Sequence, residues 1–215
     1  LKEMKKSSLF LYICIDNASQ CAIILHKWRN VIAIGERGIT MVKSTFKNLP
    51  TAKRQKIEAV LLEEFSTYPL AQAKVSHIVK KAGIARGAFY KYFDDLTDAY
   101  LYMYHIAIDT IHMSMSPDEK FDPDHFYDRV VKFIDKTQYS KYEPMMKLHM
   151  AQNEYLIPDN FKIYSRQLLN LSPEIWSAMV LSHEIINLCL SDPKNKEKNL
   201  ARYKKSLEII AKGMD

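Results

Sequence analysis

The sequence predicts an all-helical protein. Of its 215 residues, 47% are apolar and 26% are charged, which is typical of a globular chain with a sizeable core. The 5 glycines and 8 prolines are few, and apolar residues recur at spacings of three and four rather than alternating as in strands. We therefore expect helices joined by turns, in one large domain or two.

Residues 73–93 predict two short helices joined by a tight turn. Apolar residues at helical spacing over 75–82 predict a helix that ends at Gly83. Glycine readily adopts the left-handed conformation that a sharp helix exit requires. A second helix, rich in Arg, Lys and Tyr, is predicted from Arg86 to Phe93. This arrangement is a helix-turn-helix, a motif that places its second helix in the DNA major groove.

The run KAGIARGAFYKYF, residues 81–93, resembles the turn and recognition helix of the TetR/AcrR repressor family. The resemblance implies an N-terminal three-helix helix-turn-helix head that binds DNA and a C-terminal helical body that binds a ligand and dimerises. By position, it implies that these residues contact the duplex: Lys74, Ser76, Arg86, Gly87, Ala88, Tyr90, Lys91 and Tyr92. The first two would contact phosphate or a base, the next four would face bases, and the last two the backbone.

The chemistry of the second helix agrees with these roles. Arg86 can bind a guanine edge or a phosphate in bidentate fashion, and Gly87 permits close approach of the backbone to DNA. Tyr90 can donate its hydroxyl to phosphate or place its ring on a thymine methyl. Phe89 is expected to point inwards together with Ile84 and Phe93. Packing inside the domain is the alternative role for Tyr90 or Tyr92.

Positive charge is concentrated around this motif. The formal net charge of the chain is +6, and residues 43–93 hold ten Lys or Arg against three Glu. Residues 94–215 are net acidic, with fifteen basic and nineteen acidic side chains. A merely soluble basic surface would spread its charge more evenly, so the asymmetry favours phosphate binding.

The elements before the motif are predicted as follows. Residues 1–40 are interpreted as a peripheral or non-native extension with Met41 as the natural start, because the family resemblance implies a start shortly before the first expected helix. Their apolar run from Leu9 to Ile15 is too short to span a membrane. The basic stretch 43–50 either lies along DNA phosphates or is disordered, and we favour disorder. Thr51 is expected to cap a first helix that ends near Phe65. The predicted domains are thus 41–95 for the head and 96–215 for the body.

Helices of the body are predicted at 96–115, 124–138, 141–153 and 159–170. Two more follow Ser172-Pro173 and Asp192-Pro193, each a capping residue before a proline suited to the first helical position. Given the family resemblance, soft and aromatic side chains are candidates for a pocket that binds a small apolar ligand: Tyr104, Phe126, Tyr142, Met145, Met146, His149, Trp176 and Met179. A plain helical core is the alternative for each of them.

The last two helices carry apolar residues at steps of three and four. In proteins that resemble this family, the final helix pair packs against its symmetry mate as a four-helix bundle, and the two-fold dimer presents two recognition helices to successive major grooves. The expected interface residues are Ile175, Met179, His183, Ile186, Leu200, Tyr203, Leu207 and Ile210. Packing within the same chain is the alternative.

Other classes of function find little support in the sequence. It lacks an H-E-x-x-H motif and a Gly-rich phosphate loop, and the three cysteines have no paired metal spacing, so we expect no enzyme, no metal and no cofactor. The cytoplasm is the simplest compartment.

Three positions depart from the family pattern: Ala85 lacks a capping hydroxyl, Ala88 replaces a common Thr, and Leu96, after two aspartates, replaces a common Lys. The function we expect is that of a repressor which a small-molecule ligand releases from a palindromic operator. The three departures leave open an alternative, an interaction module with weak or no specific DNA binding.

Overall fold

The computed structural model describes residues 42–111, 120–156 and 171–213, and the regular structure in those residues is helical, so the prediction of an all-α fold is confirmed. We label the α-helices as follows: α1 (Ser44–Lys47), α2 (Thr51–Thr67), α3 (Val75–Ala82), α4 (Arg86–Tyr92), α5 (Leu96–Ile111), α6 (Pro123–Gln138), α7 (Glu143–Leu148), α8 (Pro173–Ser191) and α9 (Lys196–Lys212). A π-helical turn (His149–Asn153) and a 3₁₀ turn (Glu154–Leu156) continue α7, and a 3₁₀ turn (Pro193–Asn195) precedes α9.

The chain divides into two compact units. Within the described residues, the head unit holds 42–111 and 136–156, and the bundle unit holds 120–135 and 171–213. Helix α5 and the segment around α7 therefore group with the helix-turn-helix. The predicted domain boundary between residues 95 and 96 stays a prediction.

The core of the head unit is built from one face of each helix. Helix α2 packs against α3, α5 and α7, while α4 packs against α1 and α3. The fully covered side chains include Phe46 of α1, Ile57, Leu61 and Phe65 of α2, Ile78 of α3, Phe89 of α4 and Tyr100 of α5. The inward orientation expected for Phe89 and Phe93 is confirmed, since both are 0% exposed. Burying an aromatic or aliphatic side chain of this size stabilises the fold by about 1.5–3 kcal/mol.

A buried polar cluster joins three parts of the head unit. The amide of Asn153 donates to the hydroxyl of Tyr100 at 3.3 Å, and its carbonyl oxygen accepts the backbone N–H of Leu70 at 2.8 Å. The Tyr100 hydroxyl lies 2.8 Å from Nδ1 of His149. Because Leu70 belongs to the loop before α3, this cluster connects α5 and the π-helical turn with the entrance to the helix-turn-helix.

The bundle unit has its own core. Helices α8 and α9 pack side by side, and Phe126, Val130 and Ile134 form the buried face of α6. The hydroxyl of Tyr203 lies 2.6 Å from Oγ of Ser182, which satisfies two polar groups in the α8–α9 contact. Lys196 donates to Asp135 at 2.6 Å and so ties α9 to the end of the α6 segment in this unit.

Several predicted boundaries need correction. Helix α2 starts at Thr51, but the residue before the helix is Pro50, and no side chain caps this end. Ser172 does cap α8 by accepting the N–H of Ile175, whereas Asp192 precedes a 3₁₀ turn and α9 begins only at Lys196. The helix predicted at 141–153 is divided into α7 and a π-helical turn.

Some predictions lie outside the described residues: the extension 1–40, Met41, the end of the helix predicted to reach Met115, and nearly all of the helix at 159–170. None of the helices in the described ranges is long and apolar enough to cross a membrane.

Candidate nucleic-acid interface

The turn between α3 and α4 forms as the sequence predicts. Gly83 has φ +70° and ψ +38°, the left-handed conformation, and its N–H and that of Ile84 both bond to the carbonyl of Val79. These bonds satisfy the last turn of α3 and direct the chain sharply into α4. No side chain caps the start of α4 at Ala85, in agreement with the missing hydroxyl noted in the sequence.

Helix α4 has one buried face and one exposed face. Phe89 is fully buried, while Arg86 and Tyr90 are exposed one turn apart on the opposite side. Nη2 of Arg86 lies 3.5 Å from the hydroxyl of Tyr90, and its guanidinium carbon lies 5.9 Å from the centre of that ring. The contact orients the guanidinium along the outer face of the helix, where it can reach a base edge.

Gly87 keeps this face open. A Cβ atom placed on Gly87 would have no heavy atom within 4 Å, so its side of the helix is bare. Ala88 is partly exposed, and Lys91 is exposed. Lys74 and Ser76, at the start of α3, are also exposed. Apart from Tyr92, the residues predicted to contact DNA therefore lie at the surface, while the contacts themselves stay predictions.

Tyr92 packs inside the domain. Only 7% of its surface is exposed, and its ring packs on Phe46 of α1 with the ring centres 5.5 Å apart. This is the alternative role that the sequence leaves open for Tyr92, and contact of its hydroxyl with the DNA backbone stays a prediction. Tyr90, 40% exposed, keeps its predicted position.

Residues 42–47 form an ordered segment, not the disordered arm that we favoured. The backbone N–H of Lys43 donates to the carbonyl of Tyr92, and its ammonium donates to the carbonyl of Tyr90, both at 3.0 Å. The hydroxyl of Thr45 donates to the carbonyl of Lys91. Three consecutive carbonyls at the end of α4, which have no partner inside the helix, are thus satisfied by this segment.

A surface cleft of about 710 Å³ lies between residues 42–47 and the end of α4. It is lined by Val42, Lys43, Ser44, Thr45, Lys47, Tyr90, Lys91 and Asp94. Lys43 forms an ion pair with Asp94 at 2.5 Å. The remaining charges of the lining are the ammonium groups of Lys47 and Lys91, so the cleft is cationic.

Glu64 is a buried carboxylate that holds the start of α3 and that was not predicted from the sequence. Its Oε1 accepts the backbone N–H of Lys74 at 2.9 Å and lies 3.0 Å from Nδ1 of His77, while the side chain is 0% exposed. Its Oε2 is buried without a hydrogen-bond partner. A charged residue three positions after Leu61 and next to Phe65, on the core-facing stripe of α2, was the signal that could have revealed it.

The two aspartates that depart from the family pattern have structural partners. Oδ1 of Asp95 accepts the N–H of Asp98 at 2.8 Å, and Oδ2 of Asp98 accepts the N–H of Asp94 at 3.0 Å. This reciprocal pattern caps the start of α5. Burial raises the pKa of Asp98. Asp94 forms an ion pair with Lys43, so the charge of this aspartate is balanced beside α4.

The candidate ligand residues are divided between the two units. In the head unit, the rings of Tyr104 and His149 stack with centres 4.0 Å apart, and Tyr142, Met145 and Met146 are buried in the same unit. Burial raises the pKa of Tyr104 and Tyr100, which further favours the protonated phenol in both. Phe126 and Met179 are buried in the bundle unit, where Trp176 is partly exposed. A role in ligand binding stays a prediction for all of them.

The candidate dimer residues are mostly covered by their own chain. Six are at most 8% exposed in the single chain: Met179, His183, Ile186, Leu200, Tyr203 and Leu207. The regular spacing along α9 is explained by its packing on α8, the alternative that the sequence leaves open, and an interface role of these six side chains stays a prediction. Ile175 and Ile210 are partly exposed, and their place in an interface stays a prediction.

Within the described ranges, the side chains of His, Cys, Asp and Glu form no group that could hold a metal ion.

Comparison with known proteins supplies the family of the motif. Residues 59–96, from the middle of α2 to the first residue of α5, match the family model described as "Bacterial regulatory proteins, tetR family". No curated protein matches the sequence closely enough to be called a relative.

Two solved structures illustrate the similarity of the fold. A TetR family transcriptional regulator from Chloroflexus aurantiacus J-10-FL has 19% sequence identity and a TM-score of 0.50, covering 80% of this chain and 98% of its own. A TetR transcriptional regulator from Rhodococcus sp. RHA1 has 17% identity and a TM-score of 0.45, covering 76% and 99%. Residues 59–96 of this chain are therefore similar to the tetR family of bacterial regulatory proteins, and its fold is similar to that of a TetR family transcriptional regulator.

Proposed function

We propose that the chain is a dimeric repressor that binds a palindromic DNA operator and is released by a small apolar ligand. Arg86, Gly87, Ala88 and Tyr90 face the bases, while Lys74, Ser76 and Lys91 contact phosphates. The protein acts in the cytoplasm, where its operator is accessible. A metal or a cofactor has no part in this mechanism.

One observation carries the DNA-binding proposal: the exposed Arg86–Tyr90 pair on the outer face of α4. The buried face of the helix holds Phe89, so the helix cannot turn this pair inwards without exposing an aromatic side chain. A guanidinium held in this way can donate two hydrogen bonds to a guanine, and each such pair discriminates against the wrong base by about 1–3 kcal/mol. The bare surface at Gly87 supports a close approach to the groove.

Selection of bound duplexes from a random pool tests this proposal. The wild type should enrich a palindrome whose half-sites lie about one helical turn apart, or a multiple of it. Arg86→Ala should relax the preference at one position of each half-site, whereas Lys91→Ala should weaken all duplexes alike. If Arg86→Ala leaves both affinity and preference unchanged, the assignment of α4 as the recognition helix is wrong.

The ligand response is supported by the polar cluster of the head unit. Asn153 links Tyr100 of α5 to the backbone of Leu70, which precedes the first helix of the motif. A ligand that displaced Tyr104 or His149 would disturb these bonds and bias the motif between two states. Operator affinity should fall when the correct ligand is added. A ligand that binds tightly and leaves operator affinity unchanged would contradict the switch.

Dimerisation is supported by the surface of the bundle unit. Ile209 on α9 is 62% exposed and lies beside the partly exposed Ile210. Burial of such apolar side chains stabilises association, and a palindromic operator requires a two-fold dimer. Sedimentation of the purified protein should give twice the mass of 25.1 kDa, and Ile209→Glu should shift it towards the monomer. A wild type that stays monomeric at micromolar concentration would refute this part.

An interaction module with weak or no specific DNA binding is the second candidate. The observation that favours it is Leu96, which is partly exposed at a position where the family commonly has a phosphate-binding Lys. The salt dependence of duplex binding separates the candidates, because Lys and Arg contacts to phosphate make affinity fall steeply with salt. Binding that is weak and insensitive to salt would favour the interaction module.

A further inference from the structure

We propose that the cleft between residues 42–47 and the end of α4 binds a phosphate of the DNA backbone, with Lys47 and Lys91 as its cationic partners and Ser44 as a hydroxyl donor. This inference rests on the proposed DNA binding and extends it to a segment outside the family match, which covers 59–96. The segment thus becomes part of the DNA interface.

Residues 42–47 are held rigidly on the recognition helix. Lys43 and Thr45 donate to three consecutive carbonyls at the end of α4. Phe46 is 0% exposed, and its ring centre lies 4.9 Å from that of Phe93. From the other side, Nη1 of Arg54 donates to the carbonyl of Lys47 at 3.2 Å. The backbone at Lys47 is therefore fixed relative to α4, so little order must be gained on binding.

The cleft carries unbalanced positive charge. Lys43 is neutralised by Asp94 at 2.5 Å. Lys47 and Lys91 are exposed, and among the described residues the structure records no ion pair for either. Two ammonium groups that line one cleft, one from each side, attract an anion, and Ser44, also exposed, adds a hydroxyl that can donate to a phosphate oxygen.

The cleft is continuous with the base-facing surface of α4. Tyr90 lines the cleft and also contacts Arg86 through its hydroxyl. A duplex that brings a base edge to Arg86 would therefore bring its backbone past Tyr90 towards the cleft. Lysines bind phosphate as mobile point charges and need no bidentate geometry, which suits an open cleft on a passing backbone.

Substitution by glutamine tests the proposal, because it removes the charge and keeps most of the side chain. We would measure operator affinity in chloride salts from 50 to 200 mM for Lys47→Gln, Lys91→Gln and the double variant. Each lost phosphate contact should reduce the magnitude of the negative slope of log K against log salt by about 0.9 per head, and lower affinity roughly five- to tenfold per head at 0.1 M salt. Lys47→Arg should retain the wild-type slope.

Lys205→Gln, at an exposed position of α9, is the matched control for loss of one positive charge. Thermal unfolding of each variant checks that the fold is intact, which we expect because Lys47 is exposed. The proposal is overturned if Lys47→Gln keeps the wild-type slope, or if Lys205→Gln lowers the slope equally. The proposal is also overturned if Lys47→Gln leaves operator binding unchanged and alters only the binding of inorganic phosphate, added at constant ionic strength.

The same titration separates this inference from the proposed function. A wild type that binds duplex DNA without sequence preference or salt dependence would remove the proposed function itself. A wild type that selects an operator, responds to Arg86→Ala and is unaffected by Lys47→Gln would leave the function intact and reject only the cleft.

Discussion

The same substitution, glycine to alanine, should have opposite effects on stability at the two glycines of the helix-turn-helix. Gly83 has φ +70°, where an L-residue with a Cβ is strained by about 1–2 kcal/mol. Alanine recovers about 0.4–1 kcal/mol by restricting the unfolded chain. The added Cβ would meet Nζ of Lys56 at 3.6 Å, an ordinary contact, so no clash adds to the strain. We expect Gly83→Ala to destabilise the protein by roughly 1 kcal/mol.

Gly87 lies inside α4, and a Cβ there meets nothing within 4 Å. Glycine is less favourable than alanine in a helix by about 0.5–1 kcal/mol, and the low end applies to the first turn. We therefore expect Gly87→Ala to stabilise the protein by about 0.5 kcal/mol. Its operator affinity should nevertheless fall, because the methyl group occupies the surface that approaches the DNA.

Thermal or urea unfolding of both variants, followed by circular dichroism, measures the first effect. For a chain of this length 1 kcal/mol corresponds to about 2–4 °C in Tm, so the two variants should move the wild-type Tm in opposite directions. Operator titration measures the second effect. Destabilisation by Gly87→Ala would refute the helical assignment at that position. Unchanged operator affinity of Gly87→Ala would refute a close approach there.

Three further predictions concern the core of the head unit. Phe46→Ala should destabilise the protein by about 3–5 kcal/mol in urea unfolding, because the side chain is 0% exposed and three aromatic rings surround it; a loss below 1 kcal/mol would mean that α1 is not packed on α4. Asn153→Ala leaves the buried N–H of Leu70 without its acceptor and should cost about 1–3 kcal/mol, with weaker operator binding as a second readout. A neutral effect on both would show that this bond does not hold the loop. Burial raises the pKa of Tyr100 above its ordinary value of 10.0, so its phenol ionises at lower pH in the unfolded chain than in the folded chain. The contribution of this phenol to the free energy of unfolding is therefore full below pH 10 and is lost as the pH rises further. In alkaline unfolding, Tyr100→Phe should therefore weaken the decline of stability above pH 10, and an unchanged pH dependence would contradict the buried state of the phenol.

Local patterns predicted most of the helix-turn-helix. The turn at Gly83 and the helix from Arg86 depend on residues that are neighbours in sequence, and so does the exposed position of Arg86 one turn before Tyr90. Backbone conformation and helical spacing are short-range properties, so one stretch of sequence is enough to predict them. The cap at Ser172 is a further example, since its acceptor and donor lie three residues apart.

Contacts over long sequence separations were not predictable in this way. Nothing near Lys43 indicates that it bonds to Tyr90, 47 residues later, and nothing near Leu70 indicates Asn153, 83 residues later. Tyr92 has the same local signature as Tyr90, yet Phe46 covers its ring. The apolar repeat of α9 predicts a packed face but does not name the partner, which in the bundle unit is α8 of the same chain.

The sequence by itself determined the all-helical class, the family of the motif and the exposed chemistry of α4, because periodicity, a left-handed glycine and residue type act within a few positions. Only the tertiary structure decided that residues 42–47 hold the end of α4, that Glu64 fixes the start of α3 and that the apolar stripe of α9 packs on α8 of the same chain. The physical reason is that burial and hydrogen-bond partners depend on which distant segments meet, and the pattern of one segment is compatible with many partners.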